Sequence, residues 1–266
     1  MRAQQIFGWA GAALLAFLPA ADPDPSDTIR SRVASGRLTE LRWPDFGPME
    51  PYLVSFYKSR DYQLAWSRAG TTTPQAQALI DAIRQAAAKG LDPEDYDGAR
   101  WAGRLALLRQ PSASDAASFD VALTISGLRY VSALRIGRVD PRIFCFGFET
   151  DPTNCNPADI LARLATSADV PALLDQLEPP FPGYRWSERA LARYLQLARQ
   201  DDGETLPALK KTVEPGDTYS GAPRLERLLR LLGDLPAGAV LGRPGVYEGP
   251  LVDAVKRFQA RHGLDP

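Results

Sequence analysis

The chain is poor in the residues that hold metals and act as nucleophiles. Its 266 residues include one histidine, His262, and two cysteines, Cys145 and Cys155. A zinc site needs three or four His, Cys or carboxylate ligands, and a Cys–His nucleophile pair would need His262 to meet one of the cysteines in space. A capping role for His262 in the last turn of a helix is a simpler account. We therefore predict no metal, no cofactor and no catalytic residue in this chain.

An excess of either charge is also missing. The 31 lysines and arginines nearly balance the 32 aspartates and glutamates, which leaves a formal net charge of −1. Nucleic-acid-binding domains usually carry a basic surface, so no nucleic-acid partner is expected. Alternating strand patterns are scarce, and an apolar content of 45% is typical of a globular protein. Together these features predict a mainly α fold.

Catalytic motifs are absent or incomplete in the sequence. It contains no G-x-S-x-G, no P-loop and no G-x-G-x-x-G. Ser55 and Lys58 form a Ser-x-x-Lys, but the other penicillin-binding-protein motifs do not accompany it, and the flanking aromatics favour a packing role. The acidic run GLDPEDYDG fails the spacing of a calcium loop, so helix capping by Asp92 explains it better.

One hydrophobic run, at residues 6–18, is uninterrupted by charge and follows the basic residue Arg2. Small residues precede Asp22, which completes the layout of a secretory signal peptide over 1–21. Thirteen residues are too few to cross a bilayer core of about 30 Å as an ordinary helix. A buried helix and an uncleaved anchor are the alternatives. The polar, proline-rich residues 22–40 predict a linker.

Export changes the interpretation of the two cysteines. Cys145 and Cys155 flank a DPTN turn signal, which could bring them within bridging distance. In an oxidising compartment this spacing favours a disulfide, and two reduced, buried thiols are the alternative.

Capping residues and apolar spacing predict the helices. Thr73 and Pro74 begin one helix, residues 115–136 form a long apolar one, and Ser187 is expected to cap another that ends near 200. The polar residues 201–221 predict a linker and a domain boundary. Two further helices follow within 222–266. Tyr247, Gln259 and His262 are polar or amphipathic positions near the last helix, where a solvated or packing face is the simpler interpretation.

Several segments resemble large periplasmic L,D-transpeptidases. The segments VSFYKSRDYQLAW, AAAKGLDPEDY, LTISGLRYVSALRIGRVDP and YRWSERALARY resemble the helical scaffold domain of that family, and they span much of residues 41–200. LERLLRLLGDLP and YEGPLVDAVKRFQARHGLDP resemble the first two helices of a peptidoglycan-binding domain, over 222–266. The resemblance implies a helical scaffold domain followed by a partial peptidoglycan-binding domain.

The resemblance also implies a function. The family uses a cysteine thiolate in a Ser-His-Gly-Cys motif to form cross-links in peptidoglycan, and that motif does not occur here. Cys145 and Cys155 match no catalytic position. The chain is therefore expected to be the non-catalytic front portion of such an enzyme, periplasmic, with glycan strands and stem peptides as partners; an anchor in the inner membrane is the alternative to free export. The two helices within 222–266 would then leave part of their apolar surface uncovered, so we expect them to be loosely held. The other functions left open are a stand-alone peptidoglycan-binding scaffold protein and another wall enzyme that shares the binding module.

Overall fold

The structure is a computed structural model that describes residues 24–138, 156–209 and 211–266. Over these ranges the protein is mainly α-helical, which confirms the predicted fold class. One antiparallel hairpin pairs β1, Ser67–Arg68, with β2, Thr71–Thr72. The predicted signal peptide, residues 1–21, and both cysteines lie outside the described residues. The helices are α1 Pro25–Ala34, α2 Glu50–Lys58, α3 Pro74–Arg84, α4 Trp101–Leu107, α5 Ala113–Arg135, α6 Pro157–Leu164, α7 Val170–Asp175, α8 Pro182–Gln200, α9 Ala222–Leu232 and α10 Pro250–Arg261.

The described residues divide into two compact units. The first contains α1 to α7, and the second contains α8 to α10 together with residues 88–90. The division therefore falls after Pro179, ahead of the linker expected at 201–221. Each unit has its own apolar core.

Helix α5 is the centre of the first unit. Ser112 caps it, because the Ser112 hydroxyl accepts from the Asp115 backbone N–H while the Asp115 carboxylate accepts from the Ser112 N–H. Helices α1, α2, α3 and α6 pack around α5, so the apolar residues of α5 are buried on nearly every side. This explains why the run at 115–136 was recognisable from its sequence.

The prediction of a linker over 22–40 is wrong for the residues of α1. Asp24 caps this helix by accepting from the Ser26 N–H, and Pro25 occupies its first turn. Ile29 and Val33 lie on one side, four residues apart, and both are buried as α1 packs on α5. The polar outer side of α1 gives the segment the composition of a linker although its inner side belongs to the core.

Other helix boundaries test the capping predictions directly. The Thr73 hydroxyl caps α3, and Asp92 caps the short 3₁₀ helix Pro93–Tyr96, so both capping predictions are confirmed. Helix α8 begins at Pro182, five residues before the predicted cap at Ser187. Ser187 instead lies inside the helix and donates its hydroxyl to the Gly183 carbonyl. A proline at the first turn was the better start signal at this point.

A buried carboxylate joins three parts of the first unit. Asp120 on α5 accepts from the Tyr57 hydroxyl at 2.8 Å and from the backbone N–H groups of Ala65 and Trp66, each at 2.8 Å. Thr124 accepts from the Trp66 indole and lies 2.8 Å from the Tyr57 hydroxyl. Burial raises the pKa of Asp120 to about 6, and the hydrogen bonds that favour the carboxylate oppose only part of that shift.

The Asp120 pKa predicts a pH dependence of stability. An aspartate has a pKa near 3.9 in an unfolded chain, so the folded protein binds the extra proton and its stability falls as pH rises from about 4 through about 6. Between about pH 4.5 and about pH 7.5 this residue should remove ~2 kcal/mol from the free energy of unfolding of the first unit. Urea titration at both pH values, in the wild type and in Asp120→Asn, measures the difference.

The asparagine of this variant can accept from both backbone N–H groups and donate to Tyr57, so the variant should remain folded. The other carboxylates contribute equally to the pH dependence of the free energy of unfolding in both proteins, so their contributions cancel in the difference. Equal pH dependence in wild type and variant would refute the prediction.

Gly127 marks the closest approach of α5 to its neighbours. A Cβ at this position would lie 2.8 Å from Leu161 and 3.1 Å from Leu79, which is closer than side chains pack. We predict that Gly127→Ala lowers the free energy of unfolding by about 1–3 kcal/mol, because overpacking outweighs the gain in helix propensity. Gly103→Ala on α4 is the matched control: its Cβ would meet nothing, so it should stabilise the protein by about 0.5–1 kcal/mol. Thermal and urea unfolding of both variants would check the opposite signs.

Candidate functional site

Helices α9 and α10 form the core of the second unit. Leu229 of α9 and Leu251 and Ala254 of α10 are buried between them. Pro250 begins α10, and Gly233 ends α9 at φ 86°, a left-handed conformation that suits glycine. Two helices cover only one side of each other, so part of their apolar surface remains accessible.

Residues 201–209 and 211–221 contain no regular helix, but they are packed against α9. Arg224, only 5% exposed, holds their beginning. Its guanidinium contacts both carboxylate oxygens of Asp201 at 2.7 and 2.9 Å and Asp202 at 2.9 Å, and it donates to the Glu204 carbonyl. Its Nη2 donates to both oxygens of Asp201, while Nη1 reaches Asp202 and Nε reaches the Glu204 carbonyl, so all three nitrogens have partners and the guanidinium is fixed in orientation. The segment expected to be a linker is therefore a wall of the second unit.

Further along this segment, a backbone bridge pairs Thr218 with Val246, and the Tyr219 N–H donates to the Gly245 carbonyl. These bonds anchor the end of the segment as Arg224 anchors its beginning. The segment consequently runs beside α9 and α10 and encloses a space with them.

That space is an apolar groove of about 750 Å³. Its floor is made by the leucines of α9 and the apolar residues of α10, and its walls come from the connecting segments. The lining residues are Leu206, Leu209, Lys211, Thr212, Val213, Tyr219, Leu225, Leu228, Leu229, Leu232, Tyr247, Val255, Phe258, Gln259 and Leu264.

The few polar groups of the apolar groove lie among these apolar side chains. Lys211 is 3.5 Å from Asp217, and burial raises the pKa of the Tyr247 phenol above its usual value. Gln259 can both donate and accept through its amide. No aspartate, glutamate, histidine or cysteine is among the described residues that line the groove. Its composition suits binding of an amphipathic or amide-containing ligand.

The candidate residues named in the sequence analysis lie in different parts of the structure. Tyr247 and Gln259 both line the apolar groove. His262 caps α10, and its ring lies 4.3 Å from that of Phe258. Ser55 and Lys58 are on α2, with no hydrogen bond between their side chains. The predicted disulfide of Cys145 and Cys155 lies outside the described residues and stays a prediction.

Across the described ranges, no three or more His, Cys, Asp or Glu side chains come together as metal ligands would. None of the helices in the same ranges has both the length and the hydrophobicity that crossing a bilayer requires.

Sequence reasoning missed Arg224, which builds the groove wall. A signal was present: the acidic pair at 201 and 202 precedes a helix whose arginines, 224 and 227, are one turn apart. Leu206 and Leu209 were also overlooked, because isolated leucines in a polar segment resemble linker residues.

Residues 51–191 match the Scaffold domain family. The match covers more than half of the chain. The chain belongs to the Scaffold domain family. No curated protein matches it. The matched scaffold domain begins in α2 and ends at Leu191, inside α8, so it takes in most of the first unit and the first half of α8. Helix α1 lies outside the match although it packs on α5.

Arg224 provides a test of how the groove is built. We expect Arg224→Met to lower the free energy of unfolding of the second unit by about 2–3 kcal/mol, because Asp201 and the Glu204 carbonyl lose a buried partner. Backbone amides at 201–209 should also exchange faster with solvent. Hydrogen exchange and urea unfolding measure both effects.

Arg227→Met is the matched control. Arg227 pairs with Asp202 and Glu204 from an exposed position, so its loss should cost less than about 1 kcal/mol. Similar losses in the two variants, or unchanged exchange at 201–209, would show that Arg224 does not hold the wall.

Proposed function

We propose that this chain supplies the substrate-positioning part of a peptidoglycan L,D-transpeptidase. In this proposal the scaffold domain and the second unit bind glycan strands and stem peptides, and they present a stem to the cysteine chemistry of the transpeptidase family. Such positioning lowers the entropic cost of bringing two stems together. The observation that carries the proposal is the Scaffold domain match over 51–191, which covers segments that resemble the scaffold of these enzymes.

The apolar groove supports a binding role. Peptidoglycan stems combine short aliphatic side chains with amide groups, and the groove combines leucine side chains with the Tyr247 hydroxyl and the Gln259 amide. Apolar contact would supply affinity, and the two polar groups would set orientation. Helices α9 and α10 correspond to the segments that resemble a peptidoglycan-binding domain, so the groove lies where that resemblance predicts binding.

Residue chemistry favours positioning over catalysis. The described lining of the groove has no carboxylate, histidine or cysteine, and the sequence contains no Ser-His-Gly-Cys. Export is part of the same proposal: residues 1–21 would direct the chain to the periplasm, where peptidoglycan lies, and the same segment would act as an anchor if it stayed uncleaved.

Sedimentation with purified peptidoglycan sacculi tests the proposal. The chain should sediment with sacculi and return to the supernatant after muramidase digestion. Combined Tyr247→Ala and Gln259→Ala should weaken binding about tenfold, equivalent to about 1.4 kcal/mol, because the groove loses the phenol hydroxyl and the amide that would orient a stem. A soluble tetrapeptide stem should compete if the groove binds stems.

Tyr52→Ala combined with Gln63→Ala is the matched control. It removes the same side-chain types from the first unit, at positions that do not line the apolar groove. Binding by this control should equal that of the wild type. Failure of the wild-type chain to bind sacculi would contradict the proposed function.

A further inference from the structure

Helix α8 is amphipathic and yet buries none of its residues. One side contacts residues 88–90: Glu188 forms an ion pair with Lys89 at 2.9 Å, and Leu191 lies 3.7 Å from where a Cβ on Gly90 would be. At 100° per residue, Trp186 points away from that side. Residues 88–90 therefore leave the Trp186 side uncovered, and the end of α9 contacts α8 further along, where Arg193 donates to the Leu232 carbonyl.

The uncovered side carries an indole between polar side chains. Trp186 is 64% exposed. Arg189 and Arg193 follow it three and seven residues later and are exposed, so all three share one side of the helix. We call these three residues the Trp186 face. Tryptophan and arginine are among the residue types enriched in binding interfaces and in measured hot spots.

The charge of α8 is uncompensated along the Trp186 face. The helix has four arginines and one acidic residue, Glu188, which is engaged with Lys89 and Arg185. Within the described residues Arg189 forms no ion pair, and Arg193 donates only to the Leu232 carbonyl. Because neither guanidinium is in an ion pair with a residue that the structure describes, each can bind a carboxylate of a ligand without breaking an ion pair within the protein.

We propose that the Trp186 face is a second peptidoglycan contact, where Trp186 stacks on a sugar ring and Arg189 and Arg193 pair with the carboxylates of a stem peptide. The inference rests on the proposed function and names a surface distinct from the apolar groove. Complementary charge selects the partner: peptidoglycan stems are anionic, and this face is cationic.

The residues around Trp186 favour a glycopeptide over a membrane. A helix that lies on a bilayer buries a broad apolar side, with its basic residues on the opposite one. In α8 the residues three and four positions from Trp186 are Pro182, Gly183, Arg189 and Ala190, so no large apolar side chain adjoins the indole along the helix. Leu191 and Leu195 belong to the other side.

Trp186→Ala and Arg189→Glu test the inference in the full chain. Each should weaken binding to sacculi about tenfold, or about 1.4 kcal/mol. Both positions are exposed, so circular dichroism and thermal midpoints should match the wild type. Sacculi with amidated carboxylates should bind the wild type more weakly, whereas the affinity of Arg189→Glu should no longer depend on amidation.

Matched controls come from the first unit. Trp43→Ala removes another exposed indole, which lies beside Arg42, and Arg109→Glu reverses another exposed arginine. Both should bind sacculi as the wild type does. Weakening by these controls equal to that of the α8 variants would overturn the inference, since general charge or hydrophobicity would then explain binding.

The outcomes separate this inference from the function on which it rests. If the wild type binds sacculi and the Tyr247/Gln259 variant binds weakly while both α8 variants bind normally, the Trp186 face alone is refuted. If no form of the chain binds, the proposed function and the inference both fail. If Trp186→Ala and Arg189→Glu bind sacculi normally but no longer bind anionic phospholipid vesicles that the wild type binds, the Trp186 face contacts a membrane instead. That result would also overturn the proposal.

Discussion

The carboxylate of Asp120 is the constraint on which the first unit depends. It lies inside α5 and accepts hydrogen bonds from the Tyr57 side chain of α2 and from the backbone at 65 and 66. A buried carboxyl group is costly without partners, so α2 and the chain before the hairpin must meet α5 in one register. Apolar packing alone would tolerate sliding of these helices, whereas directional hydrogen bonds do not. Asp120 thus gives the scaffold domain a defined geometry at the expense of some stability near neutral pH.

Local signals predicted much of this fold, and its exceptions have physical reasons. Capping by Thr73 and Asp92 was readable because it depends on neighbours within three residues. The core role of α1 was not readable, since it depends on packing against α5, which is distant in sequence. The role of Asp120 could not be predicted for the same reason. Its hydrogen-bond partners, Tyr57 and the Trp66 backbone, are more than 50 residues away in the sequence.

The apolar groove shows how far sequence reasoning reached for the site. Two helices were predicted within 222–266, and Tyr247 and Gln259 were noticed as polar or amphipathic positions near the second of them. The wall was missed, because it exists only where Arg224 binds Asp201 and so depends on a contact between distant residues. An apolar surface becomes a groove when something encloses it, and here the enclosing segment is held by Arg224 at its beginning and by backbone hydrogen bonds to residues 245–247 at its end.

The family match and the division into compact units place the end of the scaffold domain at different points, and the first half of helix α8 lies between them. The scaffold-domain match ends at Leu191, so it includes Trp186 and Arg189 and excludes Arg193, while internal contacts assign the whole helix to the second unit. A continuous helix transmits orientation along its axis, because its residues turn and rise by fixed increments. The position of Arg193 relative to Trp186 is therefore set by helical geometry across the end of the match. A ligand that contacts the full Trp186 face would therefore contact residues on both sides of Leu191, where the match ends, as one rigid surface. This is the property that a positioning element requires, since substrate placement depends on contacts that do not move relative to one another.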